Sequence, residues 1–272
     1  MSDVAADRRW SRSMPEAYER YLVPVLFRPF AEDLARRAAV LRPRTVLELA
    51  AGTGALTSRL VVALPGAEVV ATDLNEAMVA FGGDRVPSAS WRQADAQRLP
   101  FADGVFDLVV CQFGAMFFPD KPGAFAEVRR VLAPEGRFLF NTWGPVESHA
   151  FDFAVQAAAE RAFPADPPDF LPSLPHGYHD PEQVSADLAT AGLELEWHQP
   201  LVLDGTAESA AAVATGFLTG TPLRAAVEAR GGRPDDPALQ AFFAEEMTDR
   251  LGSGQVTAPM AAQLFRARPA NA

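Results

Sequence analysis

The sequence predicts an α/β fold: a doubly wound, seven-stranded, mostly parallel sheet, with strand 7 antiparallel and two helical insertions. Three observations carry that reading. Val46-Leu47-Glu48-Leu49 is an apolar run broken only by Glu48, as in a short buried strand. It runs into Ala50-Ala51-Gly52-Thr53-Gly54, and Leu56, Leu60 and Leu64 then repeat at helical spacing. Apolar runs of strand length then alternate with helical patterns along the chain, the signature of βαβ units.

The strand-to-helix turn is the centre of the argument. Two glycines two residues apart suit a chain that must reverse sharply, because φ > 0 and close backbone approach exclude larger side chains. A helix N-terminus behind such a turn presents backbone N–H groups to a ligand. A dinucleotide would place its pyrophosphate there, but that fingerprint wants a third glycine where this chain has Thr57. Glu48 would also repel two phosphate charges. A ligand carrying positive charge matches Glu48 better, and S-adenosylmethionine has a sulfonium and an ammonium and no phosphate.

Glu48-Leu49-Ala50-Ala51-Gly52-Thr53-Gly54 resembles the first motif of class I S-adenosylmethionine-dependent methyltransferases, an acidic residue followed by Gly-x-Gly-x-Gly. Ala50 stands where the first glycine is usual. The resemblance implies a Rossmann-like core that binds S-adenosyl-L-methionine, with S-adenosyl-L-homocysteine as product. Glu48, Ala50, Gly52 and Gly54 are the turn residues expected to hold the cofactor.

Taken in order, residues 1–14 are polar, and Pro15 opens a helical stretch with Tyr18, Tyr21, Leu22, Val25 and Leu26 as its apolar stripe. Pro24 and Pro29 are expected to break it into pieces. The resemblance implies a segment over residues 1–40 folded on the cofactor, with Tyr18 and Tyr21 either lining the pocket or serving as ordinary aromatics. Strand 1 is Thr45–Leu49 and its helix 55–63. Strand 2 is 67–72, ending at Asp73, 19 residues beyond Gly54. An acid there is placed to accept the two hydroxyls of a ribose, or to cap the helix starting at Asn75. Leu74 and Met78 follow and are expected against adenine.

Strand 3, 90–94, ends in Asp95-Ala96, which by resemblance hold the adenine amino group. Leu99-Pro100-Phe101 followed by Phe106-Asp107-Leu108-Val109 resembles the ubiquinone/menaquinone-biosynthesis-like branch of the family. Asp107 is expected to do a structural job at the start of strand 4. Beyond that strand, Gln112 is expected on the methionine part of the cofactor, while Phe113, Met116 and Phe117 either surround the methyl group or pack the core. An amphipathic helix over 122–132 and the ending Arg130-Val131-Leu132-x-Pro134-x-Gly136 lead into strand 5, 136–142.

Residues 145–178 break the rhythm: a helix over 150–163, then a proline-rich loop. Loops of this length are usually functional or disordered, and in related enzymes the segment after strand 5 caps the acceptor site. A helix over 181–191 stops at Gly192, strand 6 covers 193–203, a second mostly helical insertion covers 204–255, and strand 7 covers 256–268. The domain organisation expected is therefore a helical segment over 1–40, a core of 41–144, 179–203 and 256–272, and cap insertions at 145–178 and 204–255. The insertions leave the carboxyl ends of strands, the ligand side of a doubly wound sheet.

Composition bounds the function. The 272 residues carry a formal net charge of -11 and are 49% hydrophobic and 22% charged. A nucleic-acid binder would show a basic face, and Arg8-Arg9, Arg36-Arg37 and Arg129-Arg130 are pairs, read as solvated helix faces. Cys111 is the single cysteine, inside an apolar run, so no internal disulfide forms and no metal-ligand cluster of Cys and His exists. The N-terminus has no apolar h-region and no stretch spans a bilayer, so a cytoplasmic, bacterial protein is expected, without nucleic-acid or membrane partners. The reading is an enzyme moving the methyl of S-adenosylmethionine to oxygen, nitrogen or carbon of a small, largely hydrophobic molecule. The alternative is a non-catalytic regulatory binder of the same cofactor. A base is required only when the nucleophile carries a proton that must leave; His149, His176 and His179 are the candidates, since imidazole titrates near neutral pH, with Glu147 and Tyr178 behind them. The bland role for each histidine is a cap or a surface group.

Overall fold

The computed structural model describes residues 14–270. The polar residues 1–13, with Arg8-Arg9, and the last two residues lie outside the described part. The chain divides into two compact units. One is built of Phe30–Trp143, Tyr178–Leu201 and Ala262–Ala272, the other of Gly144–Gly177, Val202–Ala261 and the residues before Phe30.

The first unit is organised on a seven-stranded sheet in the order β3-β2-β1-β4-β5-β7-β6. The strands are β1 Thr45–Leu49, β2 Glu68–Asp73, β3 Ser90–Gln93, β4 Phe106–Gln112, β5 Leu132–Trp143, β6 Leu193–Ala207 and β7 Val256–Pro269. β1 pairs in parallel with β2 and β4, β2 with β3, and β4 with β5, while β7 runs antiparallel to β5. The central strands are buried on both faces: Val46, Leu47, Leu108, Val109, Val110 and Phe138 are all at 0% exposure. That is why they read as continuous apolar runs rather than as alternation. One side of the sheet packs Leu34, Ala38, Leu56, Leu60 and Leu108 into a common core. On the other, Phe138, Phe140 and Phe265 stack, with Phe125 tilted against the first two.

Because β1 lies between β2 and β4, the chain reverses direction across the sheet at β1, and the carboxyl ends of β1, β2 and β4 stand side by side. In open α/β sheets this is where ligands bind.

Two loops are tied down by side chains, one of them the Asp107 expected to do a structural job at the start of β4. Asp107 Oδ2 accepts the backbone N–H groups of Arg44 (2.8 Å) and Thr45 (3.3 Å), securing the entry to β1. Arg130, expected on a solvated helix face, is instead an anchor. Its guanidinium donates to the carbonyls of Leu99 (2.9 Å) and Phe101 (2.7 Å) and to Asp103 (2.7 Å), while Glu127 accepts from the Leu99 N–H. The Leu-Pro-Phe loop turns its backbone polar groups toward the helix Lys121–Val131, and a buried or half-buried backbone group needs a partner. Arg130 supplies it.

The second unit contains the helices Ala150–Ala162, Phe170–Ser173, Ala210–Gly220, Leu223–Ala229 and Pro237–Leu251. Its core includes Phe151, Val155, Leu218, Phe243 and Met247, each fully buried. Arg161 pairs with Glu246, and Arg250 with the same carboxylate at 2.8 Å. The N-terminal stretch corrects an expectation. Pro24 and Pro29 do not break it: Met14–Ala17 is α-helical, Tyr18–Phe27 is π-helical, and Arg28–Leu41 is α-helical again. A wider turn explains the tolerance. In a π-helix the bonds run from i to i+5, as in Arg28 N–H to the Val23 carbonyl, and the widening relieves the clash of a proline ring with the preceding turn.

Candidate cofactor site

The site is built where β1 meets its turn. Ala50, Gly52 and Gly54 have φ of +51°, +55° and +86°. The left-handed region accepts glycine freely and costs an L residue roughly 1–2 kcal/mol, so Ala50 holds a strained conformation where the family uses glycine. Nothing lies within 4 Å of where a Cβ on Gly52 would sit, so the turn presents open space there. Backbone and side chains of β2 hold the turn in place. The Ala51 N–H donates to the Thr72 carbonyl at 2.9 Å, and the Gly52 N–H donates to Asp73 Oδ2 at 2.8 Å. Arg85 reaches back to the Thr53 carbonyl at 3.0 Å.

Asp73 has its other oxygen on the Asn75 N–H at 2.9 Å. It is not the helix cap that Asp-Leu-Asn-Glu also allowed: Asn75 caps Glu76–Arg85 by accepting from the N–H groups of Ala77 and Met78. The strand ends at Asp73 and the helix begins at Glu76, so Asn75 occupies the N-cap and Asp73 is left facing the glycine turn. Its carboxylate is oriented by the N–H donors of Gly52 and Asn75.

Glu48 lies beneath the turn at 1% exposure. Its Oε2 accepts the Thr57 hydroxyl at 2.6 Å, and no cation pairs with it among the described residues. Burial drives its carboxyl up to about 8, opposed by the Thr57 hydrogen bonds and reinforced by the charge of Asp73. Desolvation without a cation favours the neutral acid. Cys111, on β4, is driven to about 12, chiefly by burial. It is a small buried side chain at the back of the site.

The remaining candidates have these surroundings. Met78 is buried at 4%, while Leu74 is 40% exposed. Asp95 is exposed and accepts the Gln97 N–H at 2.9 Å, with Ala96 between them. Gln112 ends β4 and is in register with Asn141 of β5. Glu48, Ala50, Gly52, Gly54, Asp73, Leu74, Met78, Asp95, Ala96 and Gln112 all belong to the sheet unit. Tyr21 belongs to the helical unit, where the Arg20 guanidinium lies 5.1 Å from its ring centroid and its Cβ packs close to Gly216.

At the end of β1 a carboxylate fixed to the glycine turn, a buried carboxyl with no cation paired to it among the described residues and open space beside Gly52 thus stand together. The methyltransferase-domain family matches residues 47–140. A demethylmenaquinone methyltransferase of Thermus thermophilus is 33% identical, with 61% of this chain and 80% of that relative covered. The chain belongs to the class I S-adenosylmethionine-dependent methyltransferases. It falls in their ubiquinone/menaquinone-biosynthesis-like branch. A malonyl-[acyl-carrier protein] O-methyltransferase of Halorhodospira halophila is 40% identical, but the match covers only 55% of that protein's length. Among solved structures, the YcgJ protein of Bacillus subtilis shares the fold at a TM-score of 0.57 and 19% identity, with 90% of this chain and 100% of that one covered.

The histidine candidates of this methyltransferase have defined surroundings. His149 caps Ala150–Ala162, accepting the Asp152 N–H on Nδ1 at 3.3 Å. Burial pushes it down to about 4, with Asp152 pulling upward and His176 adding to the drop. His176 Nε2 lies 2.7 Å from Asp152 Oδ2, and its Nδ1 lies 2.7 Å from the Gly144 carbonyl, which only accepts, so Nδ1–H donates. Burial alone would raise Asp152; His149 and His176 hold it below the usual carboxylate range. The three form a buried polar network within the helical unit. His179 is half-buried in the sheet unit, directly before Asp180, which caps Pro181–Thr190.

The sequence reading missed three contributors to the site. Thr57 was noticed only as an absent glycine, yet its hydroxyl is the side-chain partner of Glu48. Trp91 lies against Gly54 and Gly82, at 3.1 Å from a Cβ built on the former. Asn141 is buried at 2% and accepts the Phe113 N–H. Nothing local marks Asn141 or the contact of Trp91 with Gly54, because those partners lie far along the chain. Among the described residues, no helix is long and apolar enough to cross a membrane, and no group of three or more His, Cys, Asp or Glu is arranged to hold a metal.

Proposed function

We propose that this enzyme acts in the cytoplasm and methylates a small, largely hydrophobic acceptor at oxygen, nitrogen or carbon. The observation that carries the cofactor reading is the buried, cation-free Glu48 directly under a turn whose Gly52 N–H is already fixed by Asp73. The residues fit S-adenosylmethionine. Asp73 accepts the ribose hydroxyls, Asp95 and Ala96 meet the adenine amino group, Leu74 and Met78 cover the adenine faces, and Gln112 meets the methionine part. Glu48 supplies the negative counterpart for the cationic end. When bound, the cofactor supplies an electrophilic methyl group and a neutral thioether leaving group. The chain's own task is to orient the acceptor and to exclude water. We further propose that the insertions 145–178 and 204–255 recognise the acceptor through half-buried apolar side chains such as Phe163, Phe170 and Phe242, since an enclosed apolar site disfavours unpaired charge; Phe151, Phe217 and Leu218 are buried in the core of the helical unit and support them from behind.

Demethylmenaquinone and malonyl-[acyl-carrier protein], after which two relatives are named, are the first acceptors to test, followed by other quinols, phenols and amines. S-adenosylhomocysteine should accumulate with at least one of them. Tight cofactor binding with no turnover on any of these would favour the regulatory binder. Hydrogen exchange with S-adenosylhomocysteine plus the acceptor should raise protection in both insertions; a bound acceptor that leaves both unchanged would place recognition elsewhere.

A further inference from the structure

β4 leaves the sheet through a strained residue. Phe113 has φ of +53°, a conformation that a bulky aromatic residue adopts only when its surroundings impose it. Those surroundings are specific. The Phe113 N–H donates to Asn141 Oδ1 at 3.0 Å and to the Asn141 carbonyl at 3.2 Å. The Phe113 ring stacks on Trp143 with centroids 3.5 Å apart, and Phe30 stands edge-on to both rings at 5.2 Å. Because an N–H points at Asn141, its oxygen and not its NH2 faces Phe113, which fixes the orientation of the carboxamide.

The residue after Phe113 is Gly114, which packs on Ala50 of the cofactor turn so closely that a Cβ there would overlap the Ala50 Cβ. Ala50 is itself left-handed. Two strained non-glycine residues at the ends of neighbouring strands therefore meet through one glycine. The left-handed turn at Phe113 is what brings Gly114 to this place.

Building on the cofactor reading above, we infer that Asn141 is a positioning residue for the cofactor: its carboxamide oxygen holds Phe113 left-handed and so sets Gly114 against Ala50 and fixes the height of the glycine turn. The residue touches Phe113 rather than the ligand, so its effect reaches the cofactor through backbone geometry. A purely structural Asn141 would lower stability when replaced and leave cofactor binding alone.

The test is a double-mutant cycle read by calorimetry with S-adenosylhomocysteine, at a temperature where every variant is folded by circular dichroism. Wild type must bind first; no binding there would overturn the cofactor reading and not this one. Asn141→Ala should weaken binding about tenfold, the scale of one buried hydrogen bond. Glycine adopts φ > 0 without help, so in a Phe113→Gly background the same substitution should cost less than about threefold. In turnover, the KM for S-adenosylmethionine should rise while that for the acceptor stays put. Equal losses in both backgrounds, or no loss in either, would overturn the proposal. If Asn141→Ala does not fold, Asn141→Thr, a good strand former, replaces it in the cycle. Asn141→Asp, which keeps an acceptor oxygen of the same shape, should return to within about threefold of wild type.

Discussion

Gly114 and Ala50 lie in such close contact that a Cβ on Gly114 would overlap that of Ala50, and it would also stand 2.8 Å from the Cys111 Sγ. The alanine Cβ is fixed to its backbone and cannot rotate away, so one strand end must move.

Gly114→Ala should therefore destabilise the protein by about 1–3 kcal/mol, the usual cost of overpacking a filled site, and should weaken cofactor binding as well. The double substitution Ala50→Gly, Gly114→Ala removes the first collision and frees the left-handed residue at 50. Urea denaturation should show it recovering about half of the lost stability or more. A double variant no more stable than Gly114→Ala would show that the contact with Ala50 is not what excludes a side chain.

Gly82 gives a prediction against the usual trend. Glycine within a helix such as Glu76–Arg85 is normally worth replacing, since alanine gains about 1 kcal/mol. Here a Cβ would come to 2.7 Å from the Trp91 Cζ2 and closer still to other ring atoms. The ring is held by its Nε1–H on the Val86 carbonyl at 3.2 Å. Gly82→Ala should thus lower the melting temperature, and Trp91→Phe in the same chain should restore part of the loss. A Gly82→Ala variant more stable than wild type would mean the ring swings aside freely.

Asp73 carries a prediction about affinity. Charge-assisted hydrogen bonds are worth roughly 1.5–3 kcal/mol each, and the Asp73 carboxylate both fixes the Gly52 N–H and is assigned to the ribose hydroxyls. Asp73→Ala should raise the Kd for S-adenosylhomocysteine about a hundredfold. Unchanged affinity by calorimetry would remove Asp73 from the site.

What could be read in advance follows a physical divide. The parallel strands were legible because burial on both faces makes them unbroken apolar runs, and glycine or proline punctuates their ends; Thr45–Leu49 was placed to the residue. The glycine turn was legible because φ > 0 restricts residue choice locally. Asn75 was harder, since Asp73 and Asn75 are both good caps and only the end of β2 decides between them. The π-helical Tyr18–Phe27 was missed because proline normally signals a break, and a wider helix leaves no mark in composition. Arg130, Trp91 and Asn141 were illegible for a different reason. Each acts on backbone or glycine positions brought near by strand order, and a single sequence does not encode that adjacency in any local pattern.

Glu48 supplies the pH prediction. It is faced by Thr57 from the following helix, Asp73 from β2 and Cys111 from β4, none of them a cation. Burial raises its carboxyl from 4.5 to about 8. A group whose folded value is raised contributes stability that is fully present below its unfolded value and is lost as pH rises through the folded one. Between these limits the native chain holds a proton that the unfolded chain has released, so stability should fall with pH by about 1.4 kcal/mol per unit. Glu48→Gln, neutral at every pH, should flatten that slope, and the variant should be more stable than wild type at pH 8. Binding a cation beside Glu48 should also expel its proton. Calorimetry in buffers of different ionisation enthalpy at pH 7 should then show wild type releasing about one proton more than Glu48→Gln. Comparing the two chains cancels the proton uptake of the cofactor's own amino group, which titrates at about 8. Identical proton counts, together with parallel stability curves from pH 5 to 9, would mean that Glu48 is already ionised in the free enzyme and that its charge is balanced without the cofactor.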